Sequence, residues 1–249
     1  DYHGKLSRKD PYLLASFLDE LSKTGSSQTI LYNTHLQAFE NLLAEQVVFA
    51  GSDASVPAVK QEINALHAAK PNARYLIRTA KFSIAYIDEW NEEVKTALVE
   101  ALLRYGGKGC RSVGVVVSSF SPEQLKEELK AERQIFWELN PPHQKPEPGL
   151  KYQYAYNMAV GRAQLWLKDF LIQETGELPE ADFVTHWVKG DVAALRNLRM
   201  NFEGLIQSVY TPGDEIDGLK TEPLHQAQKP PLFWQPDGVD VVEELIVSQ

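Results

Sequence analysis

Cysteine is almost missing from this chain, with one in 249 residues. That excludes an intrachain disulfide framework and fits a reducing, cytoplasmic setting. Long apolar runs are missing too, and none reaches the ~20 residues that a membrane helix requires. Positive charge is scarce. The formal net charge is -9, which argues against a nucleic-acid partner, because such proteins present a basic face. The six histidines, His3, His35, His67, His143, His186 and His225, are scattered. They form no close cluster, so no metal is expected. There is no internal repeat, low-complexity tract or signal-peptide pattern, and the chain opens on Asp1-Tyr2-His3. What remains is an ordinary globular composition, long enough for one large domain or two lobes.

The single cysteine sits in the most informative stretch, residues 102–119, LLRYGGKGCRSVGVVVSS. An apolar helical segment runs into Gly106-Gly107-Lys108-Gly109, then Cys110 and Arg111, then an apolar run over 113–117 that reads as a buried strand. Glycines beside a thiol let the backbone turn sharply and approach a ligand closely. Lys108 and Arg111 put two positive charges near the sulfur, which favours the thiolate, the nucleophilic form. The competing reading is a small buried hydrophobe, since free cysteine is among the most buried residue types.

Elsewhere the chain alternates. Asp10-Pro11 opens an amphipathic helix that stops near Gly25, residues 29–32 form a short strand, and a second helix covers 35–45. Residues 47–51 read as a strand that breaks at Gly51-Ser52-Asp53, with a helix over 56–67. A strand ending in Gly-Ser at a helix N-terminus suits an anion or nucleotide, although an ordinary capped turn has the same pattern. Strands follow at 75–77 and 83–87, then a helix over 92–105. Beyond the cysteine, the pattern predicts a charged helix over 121–137 and an irregular Pro-rich loop over 140–149. A long helix over 152–173, a strand at 183–188, a helix at 191–199 and a strand at 205–210 come next. Residues 211–231 read as loop, and a short helix closes the chain. Strand and helix alternating in this way predicts an α/β fold with mostly parallel sheets and flanking helices.

Several of these stretches together resemble the acyl-CoA reductase family, best known from the fatty acid reductase of bacterial luminescence, within the aldehyde dehydrogenase superfamily. The core of the resemblance is Arg104-Tyr105-Gly106-Gly107-Lys108-Gly109-Cys110-Arg111-Ser112-Val113, which is similar to the family's nucleophile loop. Ser7-Arg8-Lys9-Asp10-Pro11-Tyr12-Leu13-Leu14, Tyr154-Ala155-Tyr156-Asn157, Leu232-Phe233-Trp234 and Asp237-Gly238-Val239-Asp240 also fit. The resemblance implies an aldehyde-dehydrogenase-like fold in two lobes, with the part that precedes the Lys5 segment absent. It implies Cys110 as nucleophile toward an acyl-CoA, long-chain being one reading, with NADPH or NADH as hydride donor. The backbone N–H of Cys110 would be one oxyanion donor. Lys5 falls at the superfamily lysine that reaches the adenosine side of the cofactor, and Gly51 and Ser52 at its Gly-Ser turn over the nucleotide. Hydrolytic members carry a general-base glutamate a few residues before the position of Lys81, where this chain has Ile77. Its absence fits a reductase or a CoA-acylating enzyme.

The expected division is residues 1–88 as a partial nucleotide-binding lobe, 89–229 as a catalytic lobe with Cys110, and 230–249 as a tail packing back on the lobes. Two other functions stay open. One is a partner-dependent, non-catalytic fragment, completed by another chain or by self-association. The other is a cysteine hydrolase or acyltransferase, for which His143 is the first candidate partner of Cys110. The residues that contact substrate are not identified by sequence.

Overall fold

A computed structural model describes residues 46–51, 53–69, 71–72, 74–79, 81–107, 109–140, 148–177, 183–213 and 215–231. Lys5, Ser52, Lys108 and His143, the helices expected over 10–25 and 35–45, and the tail from residue 232 lie outside the described residues. The chain separates into two compact units, Asp1–Arg78 and Thr79–Gln249.

The described part of the first unit is a β-α-β crossover. Strand β1 (Gln46–Ala50) leads through a short 3-10 turn, Asp53–Ser55, into helix α1 (Val56–Ala69), and strand β2 (Arg74–Arg78) follows. The two strands run parallel, from Gln46 opposite Arg74 to Ala50 opposite Arg78. Parallel neighbours need a crossover connection, which the helix supplies. Val59 and Ile63, four residues apart and hence on one helix face, are its buried anchors.

The second unit begins with β3 (Phe82–Ile87), α2 (Glu92–Leu103) and β4 (Val113–Ser118). Helices α3 (Lys126–Leu139) and α4 (Gly149–Ala159) precede β5 (Gln164–Trp166), β6 (Leu171–Glu174) and β7 (Val184–Lys189). Helix α5 (Val192–Asn201), β8 (Ile206–Thr211) and β9 (Glu222–Pro223) complete it. Its sheet has the order β5-β6-β7-β4-β3-β8-β9. All neighbours are parallel except β5 and β6.

Every residue of β3 and β4 is buried, as expected for strands covered on both faces. Ala85, Ile87 and Val116 pack in one apolar cluster with Leu98 and Leu102 of α2 and Leu129 of α3. Ile84, Tyr86, Val115 and Val117 pack in a second cluster with Leu195 and Leu198 of α5. Side-chain caps start α2 and α5, with Asn91 accepting from the Val94 N–H and Asp191 from those of Ala193 and Ala194.

The α/β class and the parallel strands agree with the sequence reading, and three elements differ from it. The helix expected over 152–173 ends at Ala159, where Gly161 adopts a φ of 68°. The chain then forms the β5–β6 hairpin, whose turn holds Lys168 at a φ of 67°. A left-handed glycine is a common helix stop. The apolar residues beyond it follow strand rather than helix spacing, with Leu165 and Leu167 buried and Trp166 between them partly exposed. Within the expected 211–231 loop, Glu222 and Pro223 pair with Tyr210 and Thr211. The strand at 82–87, placed by sequence in the nucleotide-binding segment 1–88, is central in the sheet of the second unit. It hydrogen-bonds to β4 on one side and β8 on the other.

Candidate functional site

The cysteine loop joins α2 to β4. After Leu103 the chain tightens into a 3-10 turn over Arg104–Gly107. Gly106, Gly107 and Gly109 have φ values of 67°, 74° and 108°, a region that L side chains rarely adopt. Gly106 has a second constraint, because a Cβ there would lie 2.6 Å from the Phe183 ring. Phe183 itself has a φ of 62° and donates its N–H to the Gly106 carbonyl at 2.8 Å. The glycine run and the entry to β7 therefore fix each other.

Cys110 follows in a turn and is partly exposed. This decides against the reading of a fully buried apolar cysteine. The Ser112 N–H donates to the Gly109 carbonyl at 3.0 Å and closes the turn. The Ser83 hydroxyl donates to the Cys110 carbonyl at 2.7 Å, and the Ser83 N–H donates to the Ser112 carbonyl at 2.9 Å. The Gln228 amide donates to the Arg111 carbonyl at 3.4 Å. Beside these contacts the strand register slips: Ser83 faces Val113, but Ile84 faces Val115. Gly114 is thus an extra residue in β4, a bulge of the kind that re-aims a chain next to a site.

Arg111 is an anchor. Its Nε donates to the Ala227 carbonyl at 2.8 Å and one terminal nitrogen to the Gln226 carbonyl at 2.7 Å. The other terminal nitrogen reaches Glu222 at 3.3 Å. The guanidinium also lies 5.5 Å from the centre of the Tyr210 ring. The Ser208 hydroxyl donates to the second Glu222 oxygen at 2.6 Å. Arg111, read from the sequence as a charge for the thiolate, is also a structural tie. Its charge is matched by Glu222, and its donors are committed to the chain over 222–227.

Sequence reasoning missed Ser83, Glu222 and Gln228. A serine inside an apolar strand carries no signal of what its hydroxyl reaches. Glu222 and Gln228 lay in a stretch that read as polar loop.

His143 lies outside the described residues. His186 is buried on β7, with Nδ1 2.7 Å from the Glu177 carbonyl and Nε2 2.7 Å from the Gln173 amide nitrogen. A carbonyl can only accept, so Nδ1 carries the hydrogen and Nε2 receives the amide. Gln173 in turn accepts from Asn157 at 2.7 Å, and Asn157 accepts from Gln153 at 3.1 Å. His225 is exposed.

Gly51 belongs to the first unit. It follows the last residue of β1 and donates its N–H to the Arg78 carbonyl at 3.0 Å. A glycine at the carboxyl end of a parallel strand, followed by a turn into a 14-residue helix, suits the phosphates of a dinucleotide. Ile77 lies on β2, opposite Phe49. Among the described residues no cluster of three or more His, Cys, Asp or Glu could hold a metal. No described helix is long and apolar enough to cross a membrane.

No protein family and no curated protein matches the chain by sequence. Solved structures match by shape. A lactaldehyde dehydrogenase superimposes with a TM-score of 0.57 at 14% identity, over 88% of this chain and 57% of its own. The fold resembles that of the aldehyde dehydrogenases. A methylmalonate-semialdehyde dehydrogenase from Oceanimonas doudoroffii gives 0.56 at 13% identity, over 87% of this chain and 51% of its own. A protein from Sinorhizobium meliloti 1021 classed with the same activity, complexed with NAD, gives 0.55 at 13%, over 86% and 51%. The chain thus spans about half the length of these aldehyde-dehydrogenase-fold relatives.

Proposed function

We propose that the protein reduces an acyl-CoA, long-chain being one reading, to the aldehyde through an acyl group on Cys110. One observation carries the proposal. The only cysteine is partly exposed in a glycine turn on an aldehyde-dehydrogenase-like fold, with each carbonyl from Cys110 to Ser112 hydrogen-bonded. The Cys110 sulfur attacks the thioester carbonyl, a carbon–sulfur bond forms, and the bond to the CoA sulfur breaks so that CoA leaves as thiolate. When bound, NADPH or NADH supplies the hydride that converts the acyl-cysteine to aldehyde. The Cys110 sulfur then leaves as thiolate and the nucleophile is restored.

On the strength of the resemblance, the residues toward the cofactor are Lys5, Ser52 and Gly51, the last of which follows β1 on the N-terminal side of α1. On the resemblance, Ile77 stands where hydrolytic members carry their general-base glutamate. An apolar side chain takes no proton from water, so hydrolysis of the acyl-cysteine would lack a base. A single cysteine, with no disulfide partner in the sequence, fits a cytoplasmic location. A second copy of this chain, or another protein, is the partner considered beside the acyl-CoA substrate.

The test is intact mass after incubation with palmitoyl-CoA, for the protein and for Cys110→Ala. The expected result is an acyl adduct in the first and none in the second, with release as aldehyde on adding NADPH. An adduct that survives Cys110→Ala would refute the assignment. Release as free acid rather than aldehyde would favour the hydrolase.

A further inference from the structure

We infer that Ser83, Gln228 and the Arg111–Glu222 pair are positioning residues that hold the peptides around Cys110 in the orientation needed to attack a carbonyl. This rests on the reading of Cys110 as an acyl-accepting nucleophile. The argument begins with peptide geometry. A trans peptide points its N–H opposite to its C=O. The Gly109 carbonyl is drawn into the turn by the Ser112 N–H, so the Cys110 N–H, in the same peptide plane, points away from that turn. The next peptide is set by the Ser83 hydroxyl on the Cys110 carbonyl. The one after is set by the Gln228 amide on the Arg111 carbonyl. Ser83 completes the frame through its own N–H to the Ser112 carbonyl.

These holds come from two places. Ser83 is fully buried on β3 and moves only with the sheet. Gln228 follows the segment that Arg111 grips through the Gln226 and Ala227 carbonyls and Glu222. Glu222 is itself seated by Ser208 on β8. The loop is thereby braced from β3 and from the chain that follows β9. Arg111 passes the second brace to its neighbour Cys110. A donor for a developing oxyanion is effective only when it is aligned before reaction. A frame of this kind costs nothing at the moment of reaction, whereas a loop free to turn would have to be ordered.

The frame predicts a separation of two reactions of the same thiol. Alkylation by iodoacetamide needs the sulfur and no oxyanion donor. Burst acylation by p-nitrophenyl acetate needs both. In the full chain, Ser83→Ala should slow the burst roughly 10- to 100-fold, the scale for a misplaced reacting group or a lost donor. It should leave the alkylation rate within about twofold and its pH midpoint unmoved. Gln228→Ala should show the same pattern more weakly, and serves if Ser83→Ala fails to fold by its melting curve. Glu222→Gln separates brace from charge. As a brace it lowers the burst at an unchanged alkylation midpoint, whereas as a charge effect it would shift that midpoint to lower pH.

Equal losses in both reactions, or an unchanged burst in Ser83→Ala and Gln228→Ala, would overturn the inference. So would absence of any burst in the wild-type protein. A wild-type burst with p-nitrophenyl acetate but no adduct from palmitoyl-CoA would refute the acyl-CoA reading and leave the frame standing or falling on its variants.

Discussion

Tyr210 shows how one residue records the cost of building this site. It is fully buried on β8 under the Arg111 guanidinium. Ser83 and Ser208 flank its phenol, yet the oxygen has no hydrogen bond of ordinary geometry. Burial raises its pKa above the usual 10, and the nearby Arg111 charge opposes that rise. The sign follows from proton linkage. The folded state keeps the Tyr210 proton to higher pH than the unfolded state does, so stability falls as pH rises through about 10 and levels off above the folded pKa. Tyr210→Phe should reduce that alkaline decline in melting temperature. It should not abolish it, because burial and the charges of Asp88 and Asp191 also raise Tyr86. Near neutral pH the variant should lie within about 1 kcal/mol of the wild type or above it, since an unpartnered buried hydroxyl is removed. A loss well beyond that would show that the hydroxyl has a partner. Arg111 carries the lesson of legibility at this scale. Its charge beside Cys110 was plain in the sequence, but its direction was not, because Glu222 is brought to it only by the pairing of β9 with β8.

At the scale of elements, helix α4 is tied to the sheet by polar as well as apolar contacts. Gln153 and Asn157 lie one turn apart on α4, and the chain of hydrogen bonds passes through Gln173 on β6 to His186 on β7. Asn157 and Gln173 are buried, so every partner lost leaves a group without water. Asn157→Ala should therefore lower stability by about 1–3 kcal/mol, measured by urea unfolding. It should do so without changing Cys110 alkylation, since none of these residues belongs to the loop frame. A neutral effect on unfolding would mean that water replaces the amide. This element is also where the sequence misled most. The sequence reading put one helix over 152–173, with Tyr154, Trp166 and Phe170 as its aromatics. The hairpin is decided by Gly161 and by the pairing of β6 with β7, a non-local contact that no helical period records.

At the scale of the second unit, one sheet carries two apolar clusters, one on each face. Leu98 on α2 and Leu195 on α5 are fully buried on opposite sides. Both pack on β3 and β4, whose side chains alternate between the clusters. Leu98→Ala and Leu195→Ala should each cost about 2–5 kcal/mol and shift one shared transition. Near-UV circular dichroism, with the fully buried Trp187 as reporter, and far-UV signals should then melt together in both variants. Separate transitions would show that the two faces fold independently.

What the sequence by itself determined is local. The apolar runs at β3 and β4 and the glycines that precede Cys110 mark positions where backbone preference and burial act within a few residues. From these the α/β class, the parallel pattern and the candidate nucleophile were legible. Tertiary structure alone decided that residues 82–87 lie at the middle of the second unit's sheet, that Ser83 holds the Cys110 carbonyl, and that residues 222–228 brace the loop through Arg111. These contacts join residues 27 to 117 positions apart. Which hydroxyl, carboxylate or amide meets which carbonyl depends on strand order and register, which are set by packing of the whole sheet.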